Sequence, residues 1–183
     1  MLKGKESEGM QVDFKTLTTE EQYKLIANEC KEEYCEKRAK YGDSLSMYRA
    51  LTFTDQIKIK LKRLYAKEEG VKFKVEEPIE DCYKAIFNYS IVAVTKLEGR
   101  GTDVAAYITT MDECRRLMLR KNNDYGEAWR DMYLVSLTDI MLAKISRLQY
   151  MILDEKDNKS IVDCFQDIAN YSIFAMIKLG LAK

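Results

Sequence analysis

The sequence contains no histidine and a single proline. The first absence removes imidazole as general base or metal ligand, so triad chemistry is excluded. The second, together with only eight glycines, leaves few breaks in the backbone and favours long helices. No two of the five cysteines have CxxC spacing, so a zinc site of Cys and His ligands is not expected. Any metal has to be held by carboxylates, which favours magnesium or manganese. No run of about 18 apolar residues occurs, which speaks against a membrane span. Met1 to Met10 lacks an apolar signal core, and a cytoplasmic protein is expected. Net charge is absent too, with 30 Lys plus Arg against 30 Asp plus Glu. A general attraction to nucleic acid or anionic membrane is therefore not indicated. Neither is there a Gly-rich phosphate loop.

What the chain does contain is a repeat. A shift of 84 residues lays Tyr23 on Tyr107, Glu29-Cys30 on Glu113-Cys114 and Lys37 on Lys121. The same shift lays Tyr41-Gly42 on Tyr125-Gly126, Thr54-Asp55 on Thr138-Asp139, and Lys60 and Arg63 on Lys144 and Arg147. One loop then shortens by two residues, and a shift of 82 continues the match. Asp81-Cys82 falls on Asp163-Cys164, and Asn88-Tyr89-Ser90-Ile91 on Asn170-Tyr171-Ser172-Ile173. Four of the cysteines are thus two positions seen twice, and both suit a small buried apolar side chain.

Each copy reads as three long helices. The first runs from about Thr19 to Lys40 behind a Thr18/Glu21 capping box, with a buried stripe of Tyr23, Ile26, Ala27, Cys30 and Tyr34. Tyr-Gly ends it, followed by an irregular stretch. The second helix is expected to open at Thr52-x-x-Asp55, and at Ser136-x-x-Asp139 in copy two, as capping boxes. The third begins near Pro78 and near Ser160, and its second half is apolar almost all round. The expected fold is all-α: a tandem duplication packed as a pseudo-two-fold helical bundle. The organisation reads as a polar tail (1–18), a degenerate repeat (19–98), a linker (99–103) and a repeat with a more complete site (104–183).

Polar residues on apolar helices need partners or ligands. Asp163, Asp167 and Asn170 share one helix face at i, i+4 and i+7. Their structural readings are a cap with Ser160, a solvated carboxylate and an interhelical hydrogen bond. Asp139 is a cap residue or a ligand. Lys144 and Arg147, at i and i+3, form an exposed edge, an ion pair or a phosphate clamp. Asp124 is a turn residue or a ligand. Together these residues suit a magnesium-bridged phosphate.

Lys121-Asn122-Asn123-Asp124-Tyr125-Gly126, then Leu137-Thr138-Asp139 with Lys144-x-x-Arg147-Leu148, then Asp163-x-x-x-Asp167-x-x-Asn170-Tyr171, resemble the nucleotide modification associated domain of the first type, in two copies. The unit is also distantly similar to the all-α nucleoside triphosphate pyrophosphatases of the MazG-like group. These resemblances imply a nucleotide ligand, with Asp163 and Asp167 catalytic, Asp124, Asp163 and Asp167 holding magnesium, and Lys121, Asp124, Tyr125, Asp139, Lys144, Arg147 and Asn170 binding the ligand. The pattern departs where no clean ExxE faces Asp163, and where copy one has Lys40 and Ala85 in place of Asp124 and Asp167. Two functions follow: a nucleotide-binding protein, with magnesium-dependent hydrolysis of a triphosphate to its monophosphate as what the second resemblance implies, or a non-catalytic helical interaction module. The partner expected within the chain is its own second copy; a further homodimer stays open.

Overall fold

The computed structural model describes residues 13–180. The stretch 1–12 of the polar tail and the last three residues lie outside it. Among the described residues there are six α-helices and no strand. Copy one supplies α1 (Thr19–Tyr41), α2 (Ala50–Glu68) and α3 (Ile79–Leu97). Copy two supplies α4 (Val104–Tyr125), α5 (Leu134–Leu153) and α6 (Asn158–Leu179). No described helix is long and apolar enough to cross a membrane.

The duplication organises the packing. Helices α3 and α6 make the most extensive contact, α2 lies against α5, and α1 meets α4. Each first helix also packs on the other copy's third helix, so α1 touches α6 as α4 touches α3. One core results, centred on Phe87, Ile91, Phe165 and Ile173, all fully buried. Each such side chain contributes on the order of 1.5–3 kcal/mol by leaving water. Ile91 to Val94, β-branched enough to suit a strand, is helical because its length and neighbours require a buried helix.

The stripe read from the first helix is buried at every position, from Tyr23 to Tyr34. Its capping box forms: Thr18 Oγ1 accepts from the Glu21 backbone, and Glu21 returns the bond to the Thr18 N–H. The two later capping boxes do not form. Helix α2 opens after Arg49 and α5 after Tyr133, neither with a side-chain cap. Residues 48 and 132 are extended after short 3-10 turns (Ser44–Met47, Ala128–Asp131), and the chain re-enters helix before reaching Thr52 or Ser136. Thr54 and Thr138 are buried instead: Thr54 bonds the Leu51 carbonyl and Thr138 bonds Glu68. Helix α3 opens at Ile79 directly after Pro78, as expected, whereas α6 opens at Asn158, earlier than Ser160 suggests. Asp157 caps α6 by accepting from the Ser160 N–H at 2.9 Å, which frees Asp163 from any capping role.

Two residues reach across the pseudo-symmetry. Tyr23 donates to Asn170 Oδ1 at 2.9 Å, and Tyr107 donates to Asn88 Oδ1 at 2.6 Å. Both tyrosines are completely buried. The recurring asparagine thus joins the two copies, each held by the other's first helix.

Candidate functional site

The end of α4, the turn after it and one face of α6 enclose a cavity of about 380 Å³. Its apolar walls are Met118, Trp129, Met132, Tyr171 and Phe174. Lys121, Asn122, Tyr125, Asp167 and Asn170 supply the polar and rim groups. On α6, Asp167, Asn170, Tyr171 and Phe174 fall at helical spacing and face the cavity together. Gly126 in the left-handed region lets the chain leave α4 sharply and swing Trp129 over the opening.

The indole is fixed on every side. It stacks on Phe174 with centroids 4.3 Å apart and planes 3° from parallel. Arg130 lies over the ring at 4.5 Å. Trp129 Nε1 donates to Asn122 Oδ1, and Asn122 Nδ2 donates to Glu127 Oε1, both at 3.0 Å. Glu127 has φ 59, a conformation rare for a residue with a side chain. Its carboxylate also accepts from Thr19 Oγ1 and from Arg130 Nε. Arg130 reaches Gln22 Oε1 at 2.9 Å. Burial works to raise the Glu127 carboxyl, but bonds from Thr19, Arg130 and Asn122 outweigh it and hold the group below its usual range. Thr19 and Gln22 belong to copy one, so the pocket of copy two is buttressed by the other repeat.

Asp167 sits at the polar edge between two lysines. Lys121 bonds Oδ1 and Lys144 bonds Oδ2, the latter at 2.7 Å. Lys144 also lies 5.8 Å from the Tyr171 ring centroid. Burial would raise this carboxyl as well; the lysines hold it below its ordinary value. Tyr125 is the one pocket ring left largely free, at 74% exposure.

The other expected site residues are distributed differently. Asn170 lines the cavity, yet both ends of its amide are engaged, by Tyr23 and by the Cys114 carbonyl at 3.2 Å. Asp124, Asp139, Asp163 and Arg147 are exposed and lie outside the cavity lining. Asp163, one turn before Asp167 on α6, is exposed to solvent. Among the described residues no three carboxylates or thiolates are arranged to hold a metal. The trio Asp124, Asp163 and Asp167 is therefore not gathered into one metal-holding cluster. Carboxylates gather instead in copy one, where Glu29, Glu32, Glu33, Glu36 and Asp81 line a groove of about 670 Å³. Three of its acids are neutralised there, by Lys84–Glu29, Lys37–Glu33 and Lys60–Glu77 pairs.

Copy one carries a twin of the aromatic pocket, about 250 Å³ in volume. Tyr34, Lys37, Tyr41, Tyr48, Asn88 and Tyr89 stand where copy two has Met118, Lys121, Tyr125, Met132, Asn170 and Tyr171. The decisive exchanges are Leu45 for Trp129, Arg38 for Asn122 and Ala85 for Asp167. Copy one thus lacks the indole wall, its amide partner and the carboxylate. Trp129, Asn122, Phe174 and Glu127 were not singled out from sequence. The available signal was the chain's only tryptophan, three residues past the Tyr-Gly break in an otherwise polar turn.

Fold and pocket define a duplicated all-α protein with two equivalent cavities, one elaborated around a fixed indole. The chain belongs to the family of nucleotide modification associated domain 1, whose model matches residues 37–97 and 121–179. Each matched segment runs from the repeated lysine of its pocket, Lys37 or Lys121, to the end of its third helix. No curated protein and no solved structure matches the chain.

Proposed function

We propose that the copy-two pocket binds a nucleotide, with the base in the slot beside Trp129 and the sugar and phosphate directed toward Lys121 and Lys144. The observation that carries this reading is a preformed aromatic cavity whose polar edge holds two lysines around one carboxylate. Its volume, about 380 Å³, falls in the range of roughly 300–1,000 Å³ typical of small-molecule sites. A planar base is matched by flat apolar walls and by Tyr125, whose exposed ring is free to cover the opening. Membership of a family associated with nucleotide modification supports the same ligand class. The geometry supports binding and positioning; it offers no assembled group for hydrolysis, and none is proposed.

Trp129 is the only tryptophan, so its emission reads this pocket alone. Titration with the common nucleosides and their mono- and triphosphates should produce a saturable change in that emission and a matching rise in Tm. Tyr125→Ala and Lys121→Ala should weaken both effects. A panel that moves neither the emission nor Tm overturns the reading.

A further inference from the structure

Copy one braces its own pocket with a latch built like that of copy two. In copy two the Glu127 carboxylate is held by Asn122 of the same repeat and by the Thr19 hydroxyl at the start of the other repeat's first helix. Asp43 occupies the matching position in copy one. Arg38, in the place of Asn122, donates to Asp43 Oδ1 at 2.6 Å, and Thr102 of the linker donates its hydroxyl to the same oxygen. Tyr34 and Arg38 both bond the Thr102 carbonyl. The Tyr34 ring stacks on Tyr107 of copy two, with centroids 4.3 Å apart. The smaller cavity is therefore also fixed from across the pseudo-symmetry.

Its chemistry differs from that of copy two. Tyr34 and Tyr48 stand in place of Met118 and Met132, and Ala85 in place of the Asp167 carboxylate. The hydroxyls of Tyr48 and Tyr89 donate to no described residue. Burial holds the Tyr89 phenol above its usual value, so it stays protonated and able to donate. The nearby cations are each taken, Lys37 by Glu33, Arg38 by Asp43 and Lys60 by Glu77. Ala85 and Tyr89 line both this cavity and the neighbouring groove, which carries the exposed Glu32, Glu36 and Asp81. A phosphate leaving the cavity on that side would meet like charge.

We propose that the copy-one pocket is a second binding site, for an uncharged planar heteroaromatic molecule the size of a nucleobase or nucleoside. The ring stacks among the tyrosines, and its acceptor atoms take the phenol hydroxyls. The volume, about 250 Å³ against about 380 Å³ in copy two, suits the smaller ligand. This site does not depend on what copy two binds.

The test counts ligands on the whole chain by calorimetry and follows in parallel the emission of Trp129, the only tryptophan, which reports copy two. Adenosine or thymidine should fill one site more by heat than the emission registers. The matching triphosphates should bind that additional site about 100-fold more weakly at low salt, because of the like charge beside it. Tyr41→Ala should remove the additional site with Tm unchanged, since Tyr41 lines the cavity yet is 62% exposed. Tyr48→Phe keeps the ring, loses the hydroxyl and should weaken it about 5-fold. Equal counts by heat and emission, triphosphates binding there as tightly as nucleosides, or an additional site indifferent to both substitutions overturns the inference. An additional site lost in Tyr41→Ala, with no ligand moving the emission, keeps this inference and removes nucleotide binding at copy two. Emission changes without an additional site do the reverse. If neither registers, both are removed.

Discussion

Replacing Tyr23 by phenylalanine deletes one hydroxyl and leaves the ring in place. That hydroxyl donates to Asn170 Oδ1 at 2.9 Å inside the core. Burial pushes the phenol well above its usual value, so it stays a proton donor throughout the accessible pH range. Asn170 is 5% exposed and its amide nitrogen is committed to the Cys114 carbonyl, so the amide is held in place and its oxygen loses this donor. A buried acceptor left unpaired costs about 1–3 kcal/mol. For a domain of this length each kcal/mol moves Tm by about 2–4 °C. Tyr23→Phe should therefore lower Tm by roughly 2–12 °C, read by circular dichroism or calorimetry. Tyr107→Phe removes the equivalent bond to Asn88 and should give a loss of the same size. Asn170→Leu removes the acceptor together with its need, so Tyr23→Phe added to Asn170→Leu should cost clearly less than Tyr23→Phe alone. Tyr23→Phe within about 0.5 kcal/mol of the parent, or strict additivity in that cycle, would refute the argument that these pairs lock the two copies.

Other outcomes follow from the same geometry. The Asp167 carboxyl titrates lower in the folded chain than unfolded, so its contribution is present above the usual carboxylate value and disappears as pH falls through the lowered one. Asp167→Asn should thus destabilise the protein at neutral pH and flatten the acid limb of a Tm-versus-pH curve; an unchanged limb would deny the lysine bracket. Four cysteines are buried and Cys35 is partly exposed, while burial pushes the Cys82 thiol up to about 11 and the Cys30 and Cys114 thiols higher still. At pH 8 one thiol per chain, Cys35, should react with an alkylating reagent before unfolding, as mass spectrometry of the labelled peptide would establish. Glu127→Ala releases Thr19, Asn122 and Arg130 together, and should shift Trp129 emission to longer wavelength and weaken any pocket ligand; unchanged emission would show that the indole is held without it.

The repeat made the helix plan readable, because Asn88 and Asn170 or Tyr41-Gly42 and Tyr125-Gly126 mark the same place in two copies. Buried stripes such as Tyr23, Ile26, Cys30 and Tyr34 follow from periodicity alone. Helix starts were less legible. Thr18 and Glu21 complete a local motif, whereas Thr52 with Asp55 offers a similar pattern, Asp for Glu, inside a helix already begun at Ala50. The difference lies in the extended residue ending each 3-10 turn, which no local pattern encodes. At the pocket edge the structure brings Lys121, Asp167 and Lys144 together from three helices. Asp163 shares a stripe with Asp167, but only Asp167 meets lysines from α4 and α5. The wall around Trp129 escaped notice for a related reason. Its partners, Phe174 from α6 and Thr19 through Glu127, lie 45 and more than 100 positions away along the chain.

A dimer of identical subunits must accept every substitution twice, at both related places. Joining the halves through residues 99–103 lifts that constraint, since Trp129 or Asp167 can be introduced on one side while Leu45 and Ala85 persist on the other. Any stability lost in shaping a cavity is then lost once, and the unaltered half still presents Tyr23, Thr19 and Gln22 to brace it. The tether also makes their meeting independent of dilution, as if each half faced its mate at ~mM concentration. Specialisation of one face is, in this chain, a consequence of having been sewn to its own double.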